Sequence, residues 1–187
     1  MGRSVVRVDA ERNRKRILEA AMEAFATEGL TVPVAEIGRR AGVGTGTVSR
    51  HFPTKEALYE AIVIERVGEI ADQARRLRTG LPPGDAFFAF VAYMVDQAAA
   101  NRGLAEAFGG AGFDIESAAS RSAHDLDGVE TALLRDAQTA GRVRADVTTA
   151  DIKALIIGCL ARERQPADLD ARRRMVEIMR AGLSAAG

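Results

Sequence analysis

Val34-Ala35-Glu36-Ile37-Gly38-Arg39-Arg40-Ala41-Gly42-Val43-Gly44-Thr45-Gly46-Thr47-Val48-Ser49-Arg50-His51-Phe52 is the stretch on which the reading of the whole chain turns. Ile37 and Ala41 stand four apart and share one helical face, which leaves Arg39 and Arg40 on the side toward solvent or phosphate. Gly42 ends that helix, because a glycine enters the left-handed backbone region without a steric penalty, and Val43 turns the chain back inward. Thr45 is expected to cap the next segment, where Val48 and Phe52, again four apart, face a core. Thr45, Thr47, Ser49, Arg50 and His51 form the remaining, polar face. Helix, glycine-bearing turn and short polar-faced helix are the layout of a helix-turn-helix that enters a DNA groove.

A helix of about seven residues does not stand alone in water, so neighbours must hold it. Upstream, Ile17, Leu18, Ala21 and Phe25 recur at helical spacing between Arg12 and Glu28, and Gly29 stops that helix. Downstream, a helix begins near Lys55 and carries Leu58 and Ile62. Together these make a three-helix core followed by a long helix that runs to about Leu77.

The run from Gly42 through His51-Phe52-Pro53-Thr54-Lys55-Glu56-Ala57-Leu58 resembles the signature of the tetracycline-repressor (TetR) family, supported by Arg16-Ile17-Leu18-Glu19-Ala20-Ala21 and Phe25. Two positions depart from it. Ser49 stands where the family usually has a tyrosine that touches a backbone phosphate, and Pro33 stands where threonine or serine often caps the second helix. Proline is compatible with a helix start but has no capping side chain. The resemblance implies an all-α chain with an N-terminal three-helix helix-turn-helix DNA-binding domain and a C-terminal helical domain for ligand binding and dimerisation.

Lys and Arg number 26 against 26 Asp and Glu, an even balance for a DNA binder, since phosphate neutralisation supplies most non-specific affinity. The distribution is uneven. Arg3, Arg7, Arg12, Arg14, Lys15 and Arg16 outweigh Asp9 and Glu11 at the start of the chain, so residues 1–11 read as a basic flexible arm. Arg40, Thr45, Thr47, Ser49, Arg50, His51 and Lys55 are the candidate DNA-contacting residues, with Lys55 placed to meet a phosphate at a helix start. A double-stranded DNA operator is the expected partner, with a small-molecule effector.

Other chemistries find little support. Gly42, Gly44 and Gly46 have no preceding strand and no P-loop lysine. His51 and His124 lack ligand partners at metal spacing, and no nucleophile, base and orienter fall together, so no metal, cofactor or catalytic role is expected. Cys159, the one cysteine, rules out an internal disulfide and sits on an apolar stripe as a small hydrophobe. No apolar run is long enough for a bilayer and no leader is visible, which points to the cytoplasm and away from membranes.

Beyond the reading head, Thr79-Gly80-Leu81-Pro82-Pro83-Gly84 breaks the long helix. A strongly apolar helix from Asp85 to Asn101 reads as buried. Short and long helices are expected at Arg102–Phe108 and Ser117–Ala140, and the next from Thr149. The cluster of Phe87, Phe88, Val91, Met94, Val95, Phe108 and Phe113 is either solid core or the lining of an effector cavity of the kind TetR-type proteins carry. Ile152, Leu155, Ile156, Cys159, Met175, Ile178, Met179 and Leu183 are candidate dimer-interface residues, since two reading heads about 34–36 Å apart cover a palindrome.

These readings divide the chain into the arm at 1–11, a DNA-binding domain at 12–59 and an effector and dimerisation domain at 60–187. They describe a homodimeric, ligand-responsive transcriptional repressor, not an enzyme. A helical protein-interaction module that has lost DNA binding is the alternative, encouraged by Ser49 and the even charge. A small helical enzyme would need convergent acid–base residues, which the sequence does not offer.

Overall fold

The computed structural model describes residues 2–162 and 169–185. Among them ten α-helices follow in order: α1 (Gly2–Glu28), α2 (Val34–Ala41), α3 (Thr45–His51), α4 (Lys55–Gly80), α5 (Pro83–Ala100), α6 (Arg102–Gly110), α7 (Ile115–Ser120), α8 (Leu126–Thr139), α9 (Thr149–Arg162) and α10 (Leu169–Leu183). The chain is all-α, as expected; the one β-type feature among the described residues is an isolated bridge between Val143 and Ser184.

The chain divides into two compact units, residues 1–66 with 101–122 and residues 67–100 with 123–187. This differs from the expected boundary at residue 60. The segment holding α6 and α7 belongs with α1–α3, and α4 contributes its first turns to one unit and its remainder to the other. The arm expected at residues 1–11 also differs: from Gly2 onward the backbone continues α1, because neither proline nor a further glycine interrupts residues 3–28. Asp9 and Arg12 pair one turn apart within this stretch at 3.7 Å, while the Arg3 and Arg7 side chains lie outside the described ones.

In the first unit α1 packs against α2, α3 and α6. Its Ile17, Leu18, Ala21 and Phe25 are buried with Ile37 and Ala41 of α2, Val48 of α3, and Leu58 and Ile62 of α4, the residues whose spacing predicted this core. Tyr59 of α4 adds an aromatic clasp, its ring centroid 5.4 Å from Phe25, 4.8 Å from Phe108 and 5.8 Å from Phe113. Such ring pairs contribute about 0.5–1.5 kcal/mol each beyond their buried area. Arg121, just after α7, donates to Glu60 at 2.7 Å and fastens the same segment by charge.

The single helix expected over Ser117–Ala140 is two helices. Short polar side chains bond to nearby backbone and compete with helix continuation. Ser120 Oγ donates to the Ser117 carbonyl at 2.8 Å, and Asp125, with φ +38°, accepts from the Gly128 N–H at 3.2 Å as the cap of α8.

In the second unit α5 packs against α8, α9 and α10. Phe87, Phe88, Val91 and Val95 interlock with Leu134, Ile152, Ile156, Cys159, Met179 and Leu183, and Met94 packs at the margin. A second cluster joins Ala74, Ala86, Phe90 and Leu133. The apolar helix expected from Asp85 is thus central to this unit, beginning two residues earlier at Pro83, where proline's fixed φ suits a first turn.

Charge also ties α1 to α2. Glu36 accepts two N–H groups of Arg39 at 2.7 Å each and the Arg40 Nε at 2.8 Å, and Arg40 reaches Glu28 at the end of α1 at 2.6 Å. The bonds from Arg39 and then Arg40 hold the Glu36 carboxyl down at about 2, against an ordinary 4.5. A depressed carboxylate stabilises the fold above its unfolded value and loses that contribution as pH falls through its folded one. The stability advantage of the wild type over Glu36→Gln, read from urea midpoints, is therefore expected in full above pH 4.5 and to vanish as pH falls through about 2. A gap that does not change with pH would show that the charge of Glu36 is not what ties the helices.

Gly42 and Gly46 should part company in the same assay. Gly42 has φ +66°, so Gly42→Ala is expected to cost about 1–2 kcal/mol. Nothing lies within 4 Å of a side chain added at Gly46 inside α3, so Gly46→Ala is expected to add about 0.5–1 kcal/mol.

Candidate nucleic-acid interface

The turn between α2 and α3 is made by backbone. Gly42 takes the left-handed conformation, its N–H bonds to the Arg39 carbonyl at 3.2 Å, and the Val43 N–H bonds to the Gly38 carbonyl at 2.9 Å. A side chain at Gly38 would sit 3.0 Å from the Val43 carbonyl oxygen and 3.2 Å from Val48 Cγ2. Gly38 thus lets α3 lie directly on the backbone of α2, with Val48 wholly buried between them. Burying one such valine is worth about 1.5–3 kcal/mol.

Gly44, not Thr45, is the N-cap of α3, and it has no capping side chain. The Gly44 carbonyl accepts the Thr47 and Val48 N–H groups at 2.9 and 3.2 Å, which makes Thr45 the first residue of the helix and leaves its side chain exposed. Ser49 and Arg50 are exposed as well, and Thr47 and His51 are half-buried. Among the described residues Arg50 has neither a hydrogen bond nor an ion pair. Arg14 of α1 lies over the Phe52 ring, 5.3 Å from its centroid, and so holds a cation near the end of α3. In the sequence Arg14 is one member of a basic run; the aromatic platform four residues past Val48 is what singles it out.

Two sequence candidates are engaged elsewhere. Arg40 is held by Glu28 and Glu36. Lys55 donates its Nζ to the Leu30 carbonyl at 2.9 Å, joining the start of α4 to the turn after α1, while Thr54 Oγ1 caps that helix by accepting the Ala57 N–H at 3.1 Å. The structure brings the other five, Thr45, Thr47, Ser49, Arg50 and His51, together on α3.

The candidate effector residues do not form one cluster. Phe87, Phe88, Val91 and Val95 are packed in the second unit with Met94 beside them, whereas Phe108 and Phe113 pack on Tyr59 in the first. The second unit does contain a narrow crevice of about 20 Å³ among α5, α8 and α9, walled by Phe87, Phe90, Leu134, Ile152 and Ile156, with Glu130, Thr149 and Lys153 as its polar lining. Glu130 is not among the residues expected from the sequence. Its signal was there: a carboxylate on the same stripe of α8 as Leu126, Leu133, Leu134 and Ala137.

The candidate dimer residues also divide. Ile152, Ile156, Cys159, Met179 and Leu183 are buried in their own unit and Met175 is half-buried against it, because the stripe at that spacing faces α5. Leu155 and Ile178 are exposed, at 39% and 63%, and so is Ile157, which the spacing argument left out, at 67%. Among the described residues no group of three or more His, Cys, Asp or Glu could hold a metal ion, and no helix is long and apolar enough to cross a membrane.

Residues 17–62 match the family model for bacterial regulatory proteins of the tetR family, and residues 82–185 match that for the C-terminal domain of SbtR-like transcriptional regulators. The chain is similar to the TetR transcription regulatory protein from Mycobacterium vanbaalenii, at 46% identity over 96% of this chain and 99% of that one, with a TM-score of 0.76. It is similar also to the TetR transcriptional regulator SCO0520 from Streptomyces coelicolor, at 33% identity over 93% and 99% of the two chains and a TM-score of 0.75. The HTH-type transcriptional regulator UidR from Escherichia coli (strain K12) is 28% identical over 165 residues, 81% of this chain and 80% of UidR. With a backbone-built turn, a buried Val48 and a polar outer face on α3, the chain belongs to the TetR family of helix-turn-helix, DNA-binding transcriptional regulators, which are not enzymes.

Proposed function

We propose that this regulator is a cytoplasmic homodimeric repressor that binds a palindromic operator through α3 and releases it when a small molecule binds. The observation that carries the reading is the outward face of α3: Thr45, Ser49 and Arg50 exposed, Thr47 and His51 beside them, all on a helix anchored by one buried valine. Arg50 supplies a guanidinium for guanine or phosphate, and the threonine methyls suit thymine methyls. Arg40 and Lys55 act behind this face, holding α2 and the start of α4 in place.

The partner for the exposed apolar side of α9 and α10 is a second copy of the chain. On α9, Ala154, Ile157, Gly158 and Ala161 are exposed at positions one turn apart, and on α10 Ile178, Ala181 and Gly182 are exposed in the same manner. Small residues beside a large aliphatic one allow helices to approach closely across a two-fold axis, as in a four-helix bundle. Release then requires an effector that prefers a state whose reading heads no longer match the half-site spacing, and a coupling of about 1–3 kcal/mol shifts operator affinity five- to 150-fold. Helix α4, which is shared by the two units, is the proposed coupling element.

Selection of bound DNA from a random pool tests the reading, with a palindrome as the expected product and an unenriched pool as the result against it. On that palindrome, fluorescence anisotropy over a salt series should show a steep negative slope, and Arg50→Ala should weaken binding by about 1–3 kcal/mol. Unchanged affinity would remove Arg50 from the interface. Ile157→Asp combined with Ile178→Asp is expected to turn a dimer into a monomer by light scattering while leaving the far-UV circular dichroism intact. A variant that stays dimeric would place the interface elsewhere.

A further inference from the structure

The crevice of the second unit holds a carboxylate in apolar surroundings. The Glu130 side chain is 10% exposed, and the nearest cation, Lys153 Nζ, stands 3.6 Å away. That ammonium is held more closely, at 2.8 Å, by the exposed Asp127. Lys153 is itself half-exposed, the more exposed of the two charged groups lining the crevice. Its ammonium is thus shared between two carboxylates, and the ion pair it makes with Glu130 is the longer of the two.

We infer that this crevice is a binding site for a small hydrophobic amine, whose ammonium replaces that of Lys153 beside Glu130 and whose apolar body lies against Phe87, Ile152 and Ile156. The inference rests on the effector reading above and names the ligand class. The free volume of about 20 Å³ takes one group of the size of water or an ammonium, and the room for a ligand body comes from the departing lysine stem, which already reaches solvent. Glu130 and Asp127 against Lys153 leave the local group with one net negative charge, so an anionic ligand is disfavoured and a cation favoured. Burial pushes the Glu130 carboxyl above its ordinary value, with Lys153 only partly opposing and Asp127 adding to the rise, so a directly bonded ammonium relieves an incompletely balanced charge.

Calorimetry with the full chain at neutral pH tests this, using phenethylamine, the neutral 2-phenylethanol and the anionic 3-phenylpropionate as probes. Phenethylamine is expected to bind about tenfold or more tightly than the alcohol, with the anion weakest. Glu130→Gln should abolish the preference for amine over alcohol. Lys153→Ala, which removes both the stem and the competing ammonium, should tighten amine binding, and it decides the matter if Glu130→Gln does not fold. An alcohol bound as tightly as the amine, no amine binding to the wild type, or a Lys153→Ala variant with unchanged or weaker amine affinity would overturn the assignment. Operator titration separates the two readings. An amine that binds with the expected preference yet leaves DNA affinity unchanged upholds the site and removes it as the effector switch; operator release by another compound, with no amine binding, does the reverse.

Discussion

The contact on which the reading head depends is the seating of Val48 on the bare backbone of α2 at Gly38. An α-helix of seven residues has too few internal hydrogen bonds to persist in water. It persists here because Val48 is fully buried, because Gly38 has no side chain to hold the helices apart, and because Gly42 turns the chain through a left-handed residue between them. Every outward side chain of α3 inherits its position from that seating. The charged lattice of Glu28, Glu36, Arg39 and Arg40 then fixes α2 against α1 from the solvent side, where its bonds are exposed and sensitive to pH.

Around this core aromatic side chains pair within each unit. Tyr59 gathers Phe25, Phe108 and Phe113 in the first unit, and the Phe87–Phe88 pair, with centroids 5.2 Å apart, sits in the second. The segment 101–122 leaves and returns between α5 and α8 yet packs on α1 and belongs to the first unit. In the second unit the same economy applies to α9 and α10. Their deep stripes pack on α5, and their outer sides keep Ile157 and Ile178 in solvent, an arrangement with a use if a second subunit covers them.

Helix α8 carries one residue at odds with its apolar stripe. Leu133, Leu134 and Ala137 bury as a helical stripe should, and Glu130 on the same stripe is carried into apolar surroundings with them. An ordinary core would place leucine there. Retaining a carboxylate under a flexible lysine is a departure from uniform packing of the kind found where a protein meets a ligand.

Much of this molecule was legible in the residues themselves because its determinants are local. The spacing of Ile37, Ala41, Val48 and Phe52, the glycine at 42, and the apolar stripes of α1, α4 and α5 depend only on helical period and turn chemistry, and they specified the all-α class and the reading helix. Which face of α9 and α10 turns inward, whether Phe108 sits with Phe87 or with Tyr59, and whether Arg40 and Lys55 point to solvent or back to Glu28 and Leu30 were decided by the tertiary structure. Periodicity marks an apolar face without naming its neighbour, and a cation on a helix has several partners within reach until the packing of other helices selects one.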